Sequence, residues 1–284
     1  VATPINLGCH ANAESQKEGL EDFRPYTNLF QIFLQTPHRV QMDFDKLCLP
    51  AEAVRRMNPD CHFVVHAPFW YNFQAPNKLQ KLALKSVKQH LEVCERFGFE
   101  YLVTHPGSRR VTVNKDTKEV REYDAEVAFE TLTTSLQGVL AGIDGYGVKL
   151  LLENMPHCKA NTLDTDFILR ALAHYKERGL NNIGLCFDTE HAYAHGEQLS
   201  DYPRFLEAAD LIHFNAVPEG VVYGQGRDRH SETPWFDSAG IEPSLLVEWA
   251  HSYSDTYKIM EMDKQPALST FAWLSSDEVQ RITE

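Results

Sequence analysis

A chain of 284 residues with 43% hydrophobic content can bury one large core or two modest ones. Its formal charge of −13, from 40 acidic against 27 basic residues, argues against nonspecific adhesion to nucleic acid, although a local basic rim stays compatible with it. No segment approaches the roughly 18 consecutive apolar residues of a membrane span, and six scattered cysteines without a C-x-x-C pair speak against a cysteine-rich zinc module and for a reducing, intracellular compartment.

Taken in chain order, short β-rich runs fall at about 5–9, 29–34, 61–66, 99–105, 146–153, 183–188, 208–214 and 256–261. Between most of them lie segments with 3.6-residue periodicity, at 77–97, 122–141, 165–178 and 242–253. Strand followed by helix, repeated about eight times, predicts an α/β fold of the (β/α)8 TIM-barrel type. No Pro/Gly-rich linker divides the chain, so residues 1–284 are expected to form one domain, with 215–241 as a long loop over the barrel mouth.

Polar groups recur where the apolar runs end: His66 in "VVHAPF", His105 in "VTHPG", Glu153 in "LLLENMP", Asp188 in "CFDTEH", His213 in "LIHFN" and Glu261 in "KIMEM". In a barrel these carboxyl ends encircle one mouth. A lone histidine at such a place is most often a cap or a hydrogen-bonded neighbour. Six polar groups ending six strands need a common cause, because burying each unpaired is expensive and coordination of a cation offsets that cost. His191 follows Asp188 by three residues, within reach of the same mouth. In "GRDRH", Asp228 and His230 are two apart and share a face if extended, with Arg229 on the other. Five imidazoles and four carboxylates suit zinc, with manganese or iron as substitutes at some positions, and are too many for one ion.

The segments "GCHANA", "FLQTPHR", "VHAPF", "THPG", "LLEN", "CFDTEHAYAHG", "IHFN", "GRDRH" and "IMEM" run from residue 7 to 262. In them the chain resembles the endonuclease IV family of apurinic/apyrimidinic endonucleases, built on the xylose-isomerase-like barrel. The resemblance implies three Zn2+ ions. His66 and His105 would bind one, Glu153 would bridge to a second held by Asp188, His213 and Glu261, and His191, Asp228 and His230 would hold the third. It also implies hydrolysis of the phosphodiester 5′ to abasic sites in damaged double-stranded DNA, giving 3′-hydroxyl and 5′-deoxyribose phosphate ends, with removal of 3′-blocking groups as a further activity. Glu261 and Glu153 would be the catalytic carboxylates and Arg229 a phosphate contact, in a protein acting as a monomer. The chain departs from the family pattern at "HFNAV" and at "SETPWFDSAG", which bears on ligand orientation and on the DNA-facing loop.

Candidate DNA contacts lie in the loops after the strands: Gln35, His38 and Arg39 in "LQTPHR", Phe69, Trp70 and Tyr71 in "PFWY", and Arg109 and Arg110 in the basic stretch "SRRVTVNKDTKEVR". The competing expectation is a mononuclear divalent-metal sugar isomerase or epimerase, which would need only Glu153, Asp188, His213 and Glu261. His66, His105, His191, Asp228 and His230 separate the two readings.

Overall fold

Parallel strands close on themselves into a barrel in the computed structural model, which describes residues 6–11, 16–34, 43–76, 78–114, 119–156, 164–226, 229, 233–277 and 279. The strands are β1 (Leu7–Ala11), β2 (Leu29–Ile32), β3 (His62–His66), β4 (Tyr101–Thr104), β7 (Lys149–Glu153), β8 (Ile183–Asp188), β9 (Leu211–His213) and β10 (Tyr257–Met260). Their spatial order is β1-β10-β9-β8-β7-β4-β3-β2, closed where Cys9 of β1 pairs with Phe30 of β2. Every expected β-rich run contributes a barrel strand. An antiparallel hairpin, β5 (Arg110–Asn114) with β6 (Glu119–Glu122), stands apart in the connection after β4, where only a loop was expected.

Side chains on each strand alternate between two environments, the signature of a sheet buried on both faces. The inward set, Leu29, Val64, Val103, Leu151, Cys186, Leu211 and Ile259, forms a small apolar cluster inside the barrel. The outward set, including Phe30, Phe63, Val65, Leu102, Leu152, Phe187 and Met260, joins the larger core beneath the helices.

Those helices are α1 (Gln16–Phe23), α2 (Phe44–Met57), α3 (Lys78–Phe97), α4 (Ala125–Ala141), α5 (Thr165–Lys176), α6 (Thr189–His195), α7 (Tyr202–Ala208), α8 (Pro243–Ser252) and α9 (Lys264–Leu274). The four periodic segments correspond to α3, α4, α5 and α8. The helices α1, α2, α6, α7 and α9 lie outside those segments, and in α2 the internal Pro50 reads as a breaker. Acidic caps start several helices: Asp124 accepts from Glu126 N at 2.8 Å and Asp164 from Phe167 N at 2.9 Å. No helix among the described residues is long and apolar enough to cross a membrane.

Candidate metal centre

Counting two residues toward the carboxyl end from each inward apolar residue reaches one polar layer. Val64 leads to His66, Val103 to His105, Leu151 to Glu153, Cys186 to Asp188, Leu211 to His213 and Ile259 to Glu261. The period of a strand therefore places all six expected ligands on the inner wall, one layer above an apolar floor. Burial pushes the Cys186 thiol well up, reinforced by the carboxylates of Glu153 and Glu261 above it, so the floor stays uncharged.

Two groups of these side chains have donor atoms within 4.8 Å of one another: His66, His105 and Glu153; and Glu153, Asp188, His213 and Glu261. Glu153 belongs to both, and its two oxygens are divided between them. Oε2 lies 3.1 Å from His66 Nε2 and 3.1 Å from His105 Nε2, whereas Oε1 lies 3.0 Å from His213 Nδ1. Glu261 Oε2 approaches His213 Nδ1 at 3.3 Å. A carboxylate shared in this way is placed to bridge two cations.

Burial alone would raise the Glu153 carboxyl, but the imidazoles of His213 and His105 hold it well below the usual range. Burial alone would lower His213, and the carboxylates of Glu261 and Glu153 outweigh it, so the imidazole is raised. His105 shows the opposite balance: burial lowers it, and Glu153 only partly opposes the fall. A divalent cation bound here would offset the buried carboxylate charge and compete with protons for the ligating nitrogens.

The backbone and amide side chains around the layer set which atom each ligand presents. A carbonyl only accepts, so His66 donates its Nδ1–H to Ala67 O at 2.6 Å and turns Nε2 inward. Asp188 uses Oδ1 to cap α6, accepting from His191 N at 2.7 Å, which leaves Oδ2 facing the site. Asn154, next to Glu153, clasps the Asp188 backbone by accepting from its N–H at 2.6 Å and donating to its carbonyl at 3.0 Å. Asn215 donates to Asp188 Oδ2 at 2.8 Å and accepts from Glu261 N at 2.9 Å. Gln31, buried in the middle of β2, meets both His213 and Glu261. Neither Asn154 nor Gln31 was singled out from sequence. Counting two residues on from the inward Leu29 would have found Gln31.

A family model described as xylose isomerase-like TIM barrel matches residues 28–255 of the chain. The chain belongs to this family. Among curated relatives, a probable endonuclease 4 of Mycobacterium ulcerans is 29% identical over 255 residues, covering 85% of this chain and 86% of that protein. A probable endonuclease 4 of Malacoplasma penetrans is 24% identical over 278 residues, covering 90% and 89%. Two solved structures share the fold at lower identity. Endonuclease IV from Thermus thermophilus superposes with a TM-score of 0.65 at 21% identity, covering 95% of this chain and 98% of that one. A D-tagatose 3-epimerase-like protein superposes with a TM-score of 0.72 at 18% identity, covering 98% of each.

Within this xylose isomerase-like barrel, the remaining expected residues divide into those the structure describes and those it does not. Gln35, His38, Arg39, Asp228 and His230 lie outside the described residues, as does the side chain of Arg110. Two ligand groups are therefore present among the described residues, where three ion sites were expected. His191 stands in the first turn of α6, its Nδ1 2.9 Å from Asn154 O and 3.2 Å from Glu153 Oε1. The loop after β9 is tied along α6: Gly224 N donates to Tyr193 O at 3.2 Å, Gly226 N to Ala194 O at 2.6 Å and Arg229 N to Glu190 Oε1 at 2.6 Å. Glu190, fully buried beside two ligands, thus anchors the loop backbone at Arg229, whose side chain is exposed.

The "PFWY" aromatics part company. Phe69 is 51% exposed and lies over the first group, stacked on His105 with centroids 5.3 Å apart and 5.2 Å from the His66 ring. Trp70 is half-buried, packed edge-on to Tyr71 at 4.7 Å. Tyr71 is a correction to the expected DNA contacts. The loop turns inward after Phe69, so the Tyr71 ring is buried and its hydroxyl sits 3.0 Å from His90 Nδ1 in the core. Arg109 pins the base of the β5–β6 hairpin, pairing with Glu122 at 2.9 Å and donating to Tyr123 O at 3.4 Å. Asn72 and Gln74 bind this connection to the one after β3, donating to Ser108 O at 2.8 Å and Gly107 O at 3.0 Å. Gly107 has φ of 94°, and a side chain there would strike Asn72.

Proposed function

We propose that this chain is a zinc-dependent endonuclease that hydrolyses the phosphodiester 5′ to abasic sites in duplex DNA, leaving 3′-hydroxyl and 5′-deoxyribose phosphate ends and acting also on 3′-blocked termini. The observation that carries this reading is the division of Glu153, one oxygen toward His66 and His105 and the other toward His213. A site for a single ion has no use for the first of these groups. The similarity to probable endonuclease 4 proteins over most of the chain supports the same assignment.

Zinc ions, when bound, acidify water and neutralise charge developing on phosphate oxygens. His66 and His105 would hold one ion, Asp188, His213 and Glu261 a second, and Glu153 both. His191 with Asp228 and His230 would hold a third. Glu261, with one oxygen facing His213, would orient the attacking water as it ligates. Arg229, exposed beside Glu190, would bind phosphate. Gln35, His38, Arg39, Phe69, Trp70, Arg109 and Arg110 form the candidate rim for DNA, with Phe69 the best placed, because its ring covers the first group while half its surface remains open. An abasic sugar lacks base stacking, so bringing it to this mouth costs less than extruding an intact nucleotide.

A second reading, a divalent-metal sugar isomerase or epimerase, draws on the completeness of the Glu153, Asp188, His213 and Glu261 group by itself. The two are separated by incubating zinc-loaded protein with duplex DNA carrying one tetrahydrofuran abasic analogue, which resists β-elimination. A hydrolase nicks it on the 5′ side. An intact duplex beside a cleaved positive control, together with one exchangeable ion per chain and turnover of a ketose, would replace the nuclease by the sugar enzyme.

A further inference from the structure

Gln31 lies in the same inner layer as the acidic and imidazole ligands, two residues beyond the inward Leu29, but carries a neutral amide. It is fully buried. Its side chain runs across the mouth from β2, past His10 on the adjoining β1, to β10 and β9. There Gln31 Oε1 lies 2.8 Å from His213 Nε2, while Nε2 donates to Glu261 Oε1 and lies 3.4 Å from His10 Nδ1.

The chemistry of the partners decides which way this amide points. An ionised carboxylate accepts hydrogen bonds and donates none, so the end of the amide facing Glu261 must be the NH2. The carbonyl oxygen then faces His213, and since it too only accepts, His213 must carry a proton on Nε2. The one lone pair a neutral His213 can offer a cation is therefore on Nδ1, the atom already turned toward Glu153 and Glu261. The same amide occupies Oε1 of Glu261 and leaves Oε2 on the side of His213 Nδ1. One side chain thus determines the donor atom of two ligands.

We propose that Gln31 is a positioning residue of the second metal group: it selects Nδ1 of His213 and Oε2 of Glu261 as the ligating atoms and holds both in place before a cation arrives. The reach required is that of glutamine, because the amide spans from β2 to β9 and β10, and the function requires a donor and an acceptor on one rigid plane. A methyl-bearing side chain of the same size would fill the space and supply neither. Ligand-orienting hydrogen bonds of this kind are typically worth about 10- to 100-fold in metal affinity.

The inference rests on the reading that the second group binds a divalent cation, and the wild-type protein tests that reading separately. Chelator-stripped full-length chain is titrated with cobalt(II), followed by its visible absorption, alongside Gln31→Leu and Gln31→Glu. Wild type that takes up no cobalt overturns the metal reading and the inference with it. Given uptake, the expected result for Gln31→Leu is a loss of about 10- to 100-fold in affinity at one site with an altered cobalt spectrum there, while the site formed by His66 and His105 changes by less than about threefold. Gln31→Glu keeps an acceptor for His213 but removes the donor to Glu261, so it retains the Nε2-protonated His213 and still binds more weakly than wild type. Unchanged affinities and spectrum in Gln31→Leu overturn the proposal and leave the metal reading intact. Should that variant fail to fold, long-range 15N–1H correlation of zinc-loaded wild type decides alone: His213 protonated on Nε2 and metal-bound through Nδ1 is expected, and the reverse pattern overturns the proposal.

Discussion

Asn215 and Asp188 meet across the strand ends of β9 and β8, the amide of Asn215 donating to Asp188 Oδ2 at 2.8 Å. Because Asp188 Oδ1 is committed to capping α6, this one bond steadies the oxygen that faces the cation site. An aspartate at 215 would have no proton to donate. Asn215→Asp is therefore expected to set two carboxylates against each other in a buried place and to destabilise the metal-free protein by about 2 kcal/mol or more. Urea denaturation in the presence of chelator measures it, and an unchanged midpoint would show that the bond contributes nothing.

Glu153 is the residue both ligand groups share, so its loss should register in both. Glu153→Gln preserves volume but removes the negative charge of the bridge and replaces one of its two oxygens by an NH2 that cannot ligate. Metal per chain is expected to fall, with turnover of an abasic-analogue duplex down by at least ~100-fold, beyond the range seen when only a ligand's supporting partner is lost. Elemental analysis of the purified variant gives the metal count. Wild-type metal content would show that the bridge is not needed to retain ions.

Phe69 presents an open ring above His105 and His66, whereas Tyr71 two residues on is buried. Phe69→Ala should weaken binding of the damaged duplex by roughly 1–3 kcal/mol, the usual worth of an aromatic platform for a base, without changing metal content. Fluorescence anisotropy with labelled duplex is the measurement. Tyr71→Phe, by contrast, should leave DNA affinity unchanged, because the hydroxyl it removes makes its contacts, to His90 and Ser86, in the core.

Glu197 offers a pH test away from the ligands. Burial raises its carboxyl from 4.5 to about 7, against the opposing hydrogen bonds from Thr165 N and Oγ1, each 2.9 Å. A carboxyl whose folded pKa lies above its unfolded value binds its proton more tightly in the native state. Its stabilising contribution is complete below about 4.5 and disappears as pH rises through about 7. Glu197→Gln should remove that slope, gaining on wild type in denaturation midpoint between pH 5 and pH 8. Parallel stability profiles for the two proteins over this interval would contradict the assignment.

How much of this centre could be read beforehand follows from particular residues. His66, Glu153, Asp188, His213 and Glu261 were legible because each closes an apolar run, and a strand buried on both faces exposes its chemistry only where the run stops. Gln31 escaped because the apolar pattern of "LFQIFL" continues past it, so that the mouth layer crosses β2 in mid-run. The β5–β6 hairpin escaped for a different reason. "RVTVN" and "EVRE" carry ordinary strand residues, but the charged stretch they belong to hid their pairing.

The amino-acid order by itself determined the alternation of strand and helix, the two-residue period of each strand and the donors at the strand ends, since these depend on neighbours along the chain. Tertiary structure alone decided that β1 closes on β2, that the oxygens of Glu153 face different groups, that Phe69 looks outward while Tyr71 is buried, and that Gln31 reaches His213. Those relations join residues far apart in sequence. They come into being only when closure of the barrel brings distant strand ends into one layer.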